Sequence, residues 1–159
     1  MLQLKPYHSS HFDELNAYQL DEIQSGFTAS VYENIVNRKI ETQSLKYPIS
    51  IFYQEKPIGF FVLDLSDDKL EFARNQDEIL FRSFSLNPEF QGRGFGKKSM
   101  MFLEDFIRNK FPEIKKIILG VNFNNPLAIH LYQSIGYTNS GRTLMGRNGL
   151  QHILEKNLK

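Results

Sequence analysis

The spacing of apolar positions changes several times along the chain, and each change marks an element. Leu2, Leu4 and Tyr7 alternate as a first strand, after which Ser9 or Ser10 caps a helix to about Leu20. Val31, Ile35, Val36 and Ile40 recur at helical spacing and predict a second helix from Thr28 to about Ile40. Ile49, Ile51 and Tyr53 return to a two-residue period. Glu55-Lys56-Pro57 then turns the chain, and the apolar run 58–65 forms the second strand of a hairpin or meander. A polar, acidic connection leads to a strand over 79–86, with Leu80, Ser83 and Ser85 among positions of alternating facing, and Pro88 ends it. Met100, Leu103 and Ile107 make the core stripe of a helix from Gly96 to about Lys110, stopped by Pro112. Residues 114–121 are the next strand. Asn124 or Asn125 caps a further helix, with Pro126 in its first turn and Gly136 closing it, and two strands around a glycine-containing turn complete the chain. This order predicts a mixed α/β sheet, not the regular alternation of a doubly wound fold.

Composition narrows the picture. A chain of 159 residues, 41% hydrophobic, buries roughly 70% of its unfolded surface and needs no staple. With no cysteine, a disulfide scaffold and a Cys-ligated metal site are excluded. The four histidines lie apart, without an acidic cluster, so no metal site is expected. No repeat or linker interrupts the sequence, which predicts one domain over 1–159. A net charge of +1 argues against a nucleic-acid or membrane-surface partner. The opening residues lack a signal-peptide core, and the longest apolar run, 58–63, falls far short of the roughly 20 residues of a membrane helix. A soluble cytoplasmic protein is expected.

The small net charge hides a division. Through Phe90 there are 8 Lys/Arg against 14 Asp/Glu, a balance of −6; from Gln91 onward 11 against 4 give +7. The second half opens on the most informative segment, residues 86–99, in which a strand end is followed by Gly92, Gly94 and Gly96 and then a helix. Glycines let a backbone approach a ligand closely, and the free N–H groups of a helix start, with its dipole, suit phosphate. Arg93, Lys97 and Lys98 add cations there. Lysines at the positive end of a helix dipole are unfavourable unless an anion binds. A P-loop is ruled out because Gln91 stands where its first glycine belongs and Lys98 where its hydroxyl residue belongs. The dinucleotide fingerprint fails at Lys97 or at Ser99, depending on where it starts.

What fits is Q-x-x-G-x-G, at Gln91, Gly94 and Gly96, together with N-x-x-A-x-x-x-Y-x-x-x-G-[FY], at Asn125, Ala128, Tyr132, Gly136 and Tyr137. The pair, in this order, resembles the GCN5-related N-acetyltransferase superfamily. The resemblance implies that fold across nearly the whole chain: a central, mostly antiparallel sheet flanked by helices, in which two parallel strands, 79–87 and 114–121, splay apart around the cosubstrate acetyl-CoA. It implies that main-chain groups of Phe84 and Leu86 meet the acetyl and pantetheine groups. Backbone N–H groups of Gln91, Gly92, Arg93, Gly94, Phe95, Gly96 and Lys97 would hold the pyrophosphate, and Asn125 the pantetheine arm. Tyr132, two helical turns after Asn125 and on its face, would stand near the sulfur and protonate the departing thiolate.

The implied reaction is direct attack of a primary amine, on a small molecule or a peptide, on the thioester. The general base is open. The position that carries a glutamate in some members is Gly120 here; Glu78, at the start of the 79–86 strand, resembles a glutamate that others place nearby. Glu71, Asp64 and a water chain are alternatives. A CoA-binding module without transferase activity is the other functional reading, and a homodimer is possible in this superfamily. Ser83 or Ser85 with a histidine could form a hydrolase triad, but no G-x-S-x-G turn is present. The charge division suits a cationic acceptor held by the acidic first half.

Overall fold

A computed structural model of the chain, describing residues 1–158, contains one seven-stranded sheet. The strands are β1 (Leu2–Pro6), β2 (Lys46–Tyr53), β3 (Lys56–Asp64), β4 (Glu78–Leu86), β5 (Lys116–Asn122), β6 (Thr138–Gly146) and β7 (Gly149–Asn157). They are ordered β1-β2-β3-β4-β5-β7-β6, and every neighbouring pair is antiparallel except β4 with β5. That exception places the site. The parallel ladder runs only through Glu78–Lys116, Ile79–Ile117 and Leu80–Ile118. Beyond it both strands continue without pairing to each other, so the expected splay is present.

A second irregularity lies in the same strand. Phe60 pairs with Ser85 but Val62 with Arg82, so β4 carries one more residue than its partner, and Ser83 sits at φ 58°. This is a β-bulge at the point where β4 leaves β5. Upstream, β2 and β3 meet in a two-residue turn at Gln54 (φ 49°) and Glu55 (φ 65°), one residue earlier than the expected turn, and Lys56 and Pro57 already belong to β3.

Helices cover both faces. On one, α3 (Phe95–Lys110) and α4 (Pro126–Ser134) pack on the main core, and Met100, Leu103 and Ile107 are buried as their spacing predicts. Asn125 caps α4 through a bond from Ala128 N to its Oδ1, Pro126 opens it, and Gly136 follows at φ 102°. On the other face, Leu15, Val31 and Ile40 pack against Phe60 and Val62.

The first 45 residues depart from expectation. In place of two long helices stand α1 (Phe12–Ala17), α2 (Glu22–Phe27) and a π-helical turn, Glu33–Asn37. His8, rather than either serine, caps the first short turn, accepting from Ser10 N while His11 Nδ1 accepts from His8 N. Asp21 caps α2 by accepting from Gln24 N at 2.7 Å. The sequence signal for α2 was Asp21-x-x-Gln24, half of a capping box.

Candidate active site

The gap between β4 and β5 opens into a cavity of about 940 Å³. Its floor is the unpaired part of the two strands, including Phe84 and Leu86; its sides are the loop before α3, the start of α4, α2 and the β6–β7 hairpin.

The loop is built by local chemistry. Asn87 accepts from Glu89 N at 3.0 Å and Pro88 starts a short turn that delivers Gln91. Gly92 (φ 73°) and Gly94 (φ 83°) then take left-handed conformations, and Gly94 leads into α3. No side chain caps this helix start. The first helical bond is Lys98 N to Gly94 O, so the N–H groups of Phe95, Gly96 and Lys97 precede it. A Cβ on Gly92 or Gly94 would have nothing within 4 Å. Open space in front of two left-handed glycines and an uncapped helix start fits a phosphate-bearing cosubstrate.

Of the residues expected at the cofactor, Phe84, Leu86, Gln91, Gly92, Gly94, Gly96, Lys97 and Asn125 line the cavity. Three others do not. Phe95 turns into the core against Tyr53, Arg93 lies over the rings of Phe90 and Phe95, each 5.2 Å from its centroid, and Lys98 is not among the lining residues. Gln91 holds the loop: its Nε2 donates to Leu86 O at 2.8 Å, and its amide exchanges two bonds with Gln24 of α2. Asn125 spends its amide oxygen on the cap, which leaves its NH2 for a ligand.

Tyr132 lines the same cavity from α4. Its side chain is buried, which pushes the phenol pKa well above its ordinary value, and its hydroxyl has no hydrogen-bond partner among the described residues. A neutral phenol facing a cavity is a proton donor.

Glu78 is not brought to Tyr132. It sits at the paired end of β4, where its Oε1 accepts from Arg74 N (2.7 Å) and Asn75 N (3.2 Å) and Lys116 approaches Oε2 at 3.9 Å. Its carboxylate organises the turn that enters the strand. Asp64 is also occupied, fully buried and bonded to Ser66 and Arg82. Glu71, by contrast, lines the cavity and has no partner among the described residues.

Gly120 also lines the cavity, and a Cβ there would lie 2.7 Å from both Gln151 Oε1 and a ring carbon of Phe72. The volume a glutamate would need is therefore taken by a carboxamide from β7 and an aromatic ring. Gln151 Oε1 is itself buried with no hydrogen-bond donor among the described residues. Spacing gave no hint of Gln151, nor of Tyr18, whose hydroxyl bonds Ser85 Oγ at 2.7 Å and whose pKa burial pushes up to about 12. No histidine lines the cavity, and among the described residues no group of His, Asp and Glu could hold a metal ion.

The charged lining differs from the sequence expectation. Only Asp21 and Glu71 are acidic; Arg38, Arg82, Lys97 and Arg147 are basic. Most carboxylates of the acidic first half are elsewhere.

Parallel strands that part around a cavity, a glycine turn feeding an uncapped helix on one side and a helix-borne tyrosine on the other define the fold and site of an N-acetyltransferase. Residues 10–137 match the acetyltransferase (GNAT) family, and the chain belongs to it. It is 34% identical over 154 residues to "Uncharacterized N-acetyltransferase YbbJ" of Bacillus subtilis strain 168, covering 96% of this chain and 95% of that one. Over 94 residues it is 31% identical to the spermine/spermidine N(1)-acetyltransferase of the same organism, covering 59% and 60%. Among solved structures, the aminoglycoside acetyltransferase AAC(6')-Ib with acetyl-CoA superposes at a TM-score of 0.80 with 18% identity, covering 98% of this chain and 93% of that one. Spermidine N-acetyltransferase of Vibrio cholerae, with CoA and spermine, gives 0.75 and 19%, covering 99% and 95%. Among the described residues no helix is long and apolar enough to cross a membrane.

Proposed function

We propose that this N-acetyltransferase moves the acetyl group of acetyl-CoA directly to a primary amine of a small molecule, with Tyr132 as general acid and Glu71 as proton acceptor. The observation that carries the reading is that Tyr132, buried and without a hydrogen-bond partner among the described residues, shares one cavity with the glycine turn and the unpaired end of β4. When bound, acetyl-CoA supplies the thioester carbonyl; the remaining tasks fall to this chain.

The N–H groups at the start of α3, with Lys97, hold the pyrophosphate, and Asn125 and the free edge of β4 align the pantetheine arm. An acceptor amine arrives protonated at neutral pH, and Glu71 takes that proton directly or through water. The nitrogen lone pair then forms the N–C bond as the C–S bond breaks, Tyr132 gives its phenolic proton to the sulfur, and the new amide nitrogen releases its surplus proton to water. Proton transfer from solvent restores the phenol. Relatives that act on polyamines, and fold neighbours with CoA bound, support the class of reaction. Because acetyl-CoA is a cytosolic metabolite, the cytoplasm is part of the same proposal.

The test is release of CoA thiol from acetyl-CoA by the purified protein across a panel of amines. Amine-dependent release is expected, and it should collapse in Tyr132→Phe. Tight acetyl-CoA binding with no release from any amine would make the protein a binding module.

A further inference from the structure

Resting on the acetyl-transfer reading, we propose that the acceptor amine also carries a carboxylate, bound by Arg38 and Arg147 at the cavity mouth. Among the charged lining groups, Lys97 belongs with the helix start of α3, Asp21 is committed to capping α2, and Glu71 is the proton acceptor of the proposed reaction. Arg82 is matched by the buried Asp64 at 3.3 Å. Arg38, after the π-helical turn, and Arg147, in the β6–β7 turn, remain.

These two guanidiniums, from segments more than a hundred positions apart in the chain, share one carboxylate, that of Glu33. Arg38 reaches Glu33 Oε2 at 2.7 Å and Arg147 reaches Oε2 and Oε1 at 2.8 and 3.0 Å. All three bonds use Nη2, so Nε and Nη1 of each arginine have no protein partner among the described residues. Two cations against one anion leave a surplus positive charge, with unused donors in the fork geometry that suits a carboxylate.

A complementary feature stands beside it. Gln151 Oε1 is a buried acceptor without a donor among the described residues, and its Cδ lies 2.5 Å from where a Cβ on Gly146, the neighbour of Arg147, would be. One hairpin therefore brings both the surplus cation for a carboxylate and a carboxamide to the cavity lining. A polycation such as spermidine would meet the same surplus unfavourably, contrary to the acceptor suggested by the charge division of the sequence.

The experiment measures thiol release with amino acids of increasing length, each beside its own carboxamide, and with spermidine. Acids are expected to exceed their carboxamides in kcat/KM by about tenfold or more, the size of one charge-assisted contact. Arg147→Gln should remove that preference, slowing the acids while leaving the carboxamides and the KM for acetyl-CoA unchanged. Equal or better rates with carboxamides or spermidine would overturn the proposal. So would an Arg147→Gln effect shared by both acceptor types, which would mark the arginines as a structural clasp, or one confined to acetyl-CoA. Calorimetric binding of the same acceptor pairs to the CoA complex reads the preference without turnover. Absence of thiol release from every amine, with that binding preference intact, would instead defeat the acetyl-transfer reading alone.

Discussion

The side-chain amides of Gln24 and Gln91 face each other head to tail, Nε2 of each donating to Oε1 of the other at 3.1 and 3.2 Å. This pair ties α2 to the glycine loop, and Gln91 carries the tie on to the end of β4 through Leu86 O. Gln24→Ala leaves the Gln91 oxygen without its donor. A loss of about 1 kcal/mol is expected, seen as a lower Tm, together with a several-fold rise in the KM for acetyl-CoA as the loop loosens. An unchanged KM would show that the loop holds its shape without α2.

For Tyr132→Phe, kcat should fall by roughly one to three powers of ten while the KM for acetyl-CoA stays similar, because the acid is lost and little binding surface changes. Burial raises the Tyr132 pKa, so the wild-type phenol keeps its proton beyond the ordinary value of about 10. Accordingly kcat should not decline on the alkaline side below that pH through ionisation of Tyr132. Steady-state rates from neutral pH to pH 10 check both points.

Glu71 and Glu78 should separate cleanly. Glu71→Gln is expected to lower kcat/KM for the amine near neutral pH, with recovery as pH rises and the amine arrives already deprotonated. Glu78→Gln should leave the shape of the pH profile alone and lower Tm, since its carboxylate holds the N–H groups of Arg74 and Asn75. The cost is about 1–3 kcal/mol for disturbing a buried, satisfied acceptor. A pH profile altered by Glu78→Gln alone would reassign the base.

Two glycines of the loop test its purpose in different ways. Gly94→Ala forces a side chain into φ 83° and should cost about 1 kcal/mol in stability. Gly96→Ala has ordinary backbone geometry, with the added Cβ in normal contact 3.8 Å from Leu131, so Tm should hold. If acetyl-CoA lies against the start of α3, Gly96→Ala should still raise its KM. Retained affinity in this variant would move the cosubstrate off that surface.

The cosubstrate side of the site was legible because it is made of backbone: glycines at fixed spacing, a helix start and an Asn-Pro cap announce themselves in a linear sequence. The acceptor side is assembled from side chains of separate segments, Arg38, Glu71, Arg147 and Gln151, which no spacing connects. Glu78 drew attention as an acid at a strand start, yet eight residues at about 3.3 Å each separate it from the open end at Leu86. The strands and α3 declare themselves by period and by amphipathic length. The first 45 residues do not, since their short helices end where tertiary contacts decide. Gly26 is one such place: a Cβ there would lie 2.6 Å from Asn148 Nδ2, and Asn148 belongs to the β6–β7 turn.

The extra residue at Ser83 acts as a phase shifter. Before it the odd positions, Ile79 and Phe81, face the main core; after it the even ones, Phe84 and Leu86, do. The two halves of β4 are thereby set independently, one keyed to the hydrophobic interior and the other to the cavity. Drawn into a regular extended strand, with Ser83 kept and the Leu80–Ile118 ladder in register, the same sequence would exchange the faces of Phe84 and Ser85, turning a ring into the space beside Tyr18 and a hydroxyl into the core; deleting Ser83 would instead keep both faces and remove only the bulge.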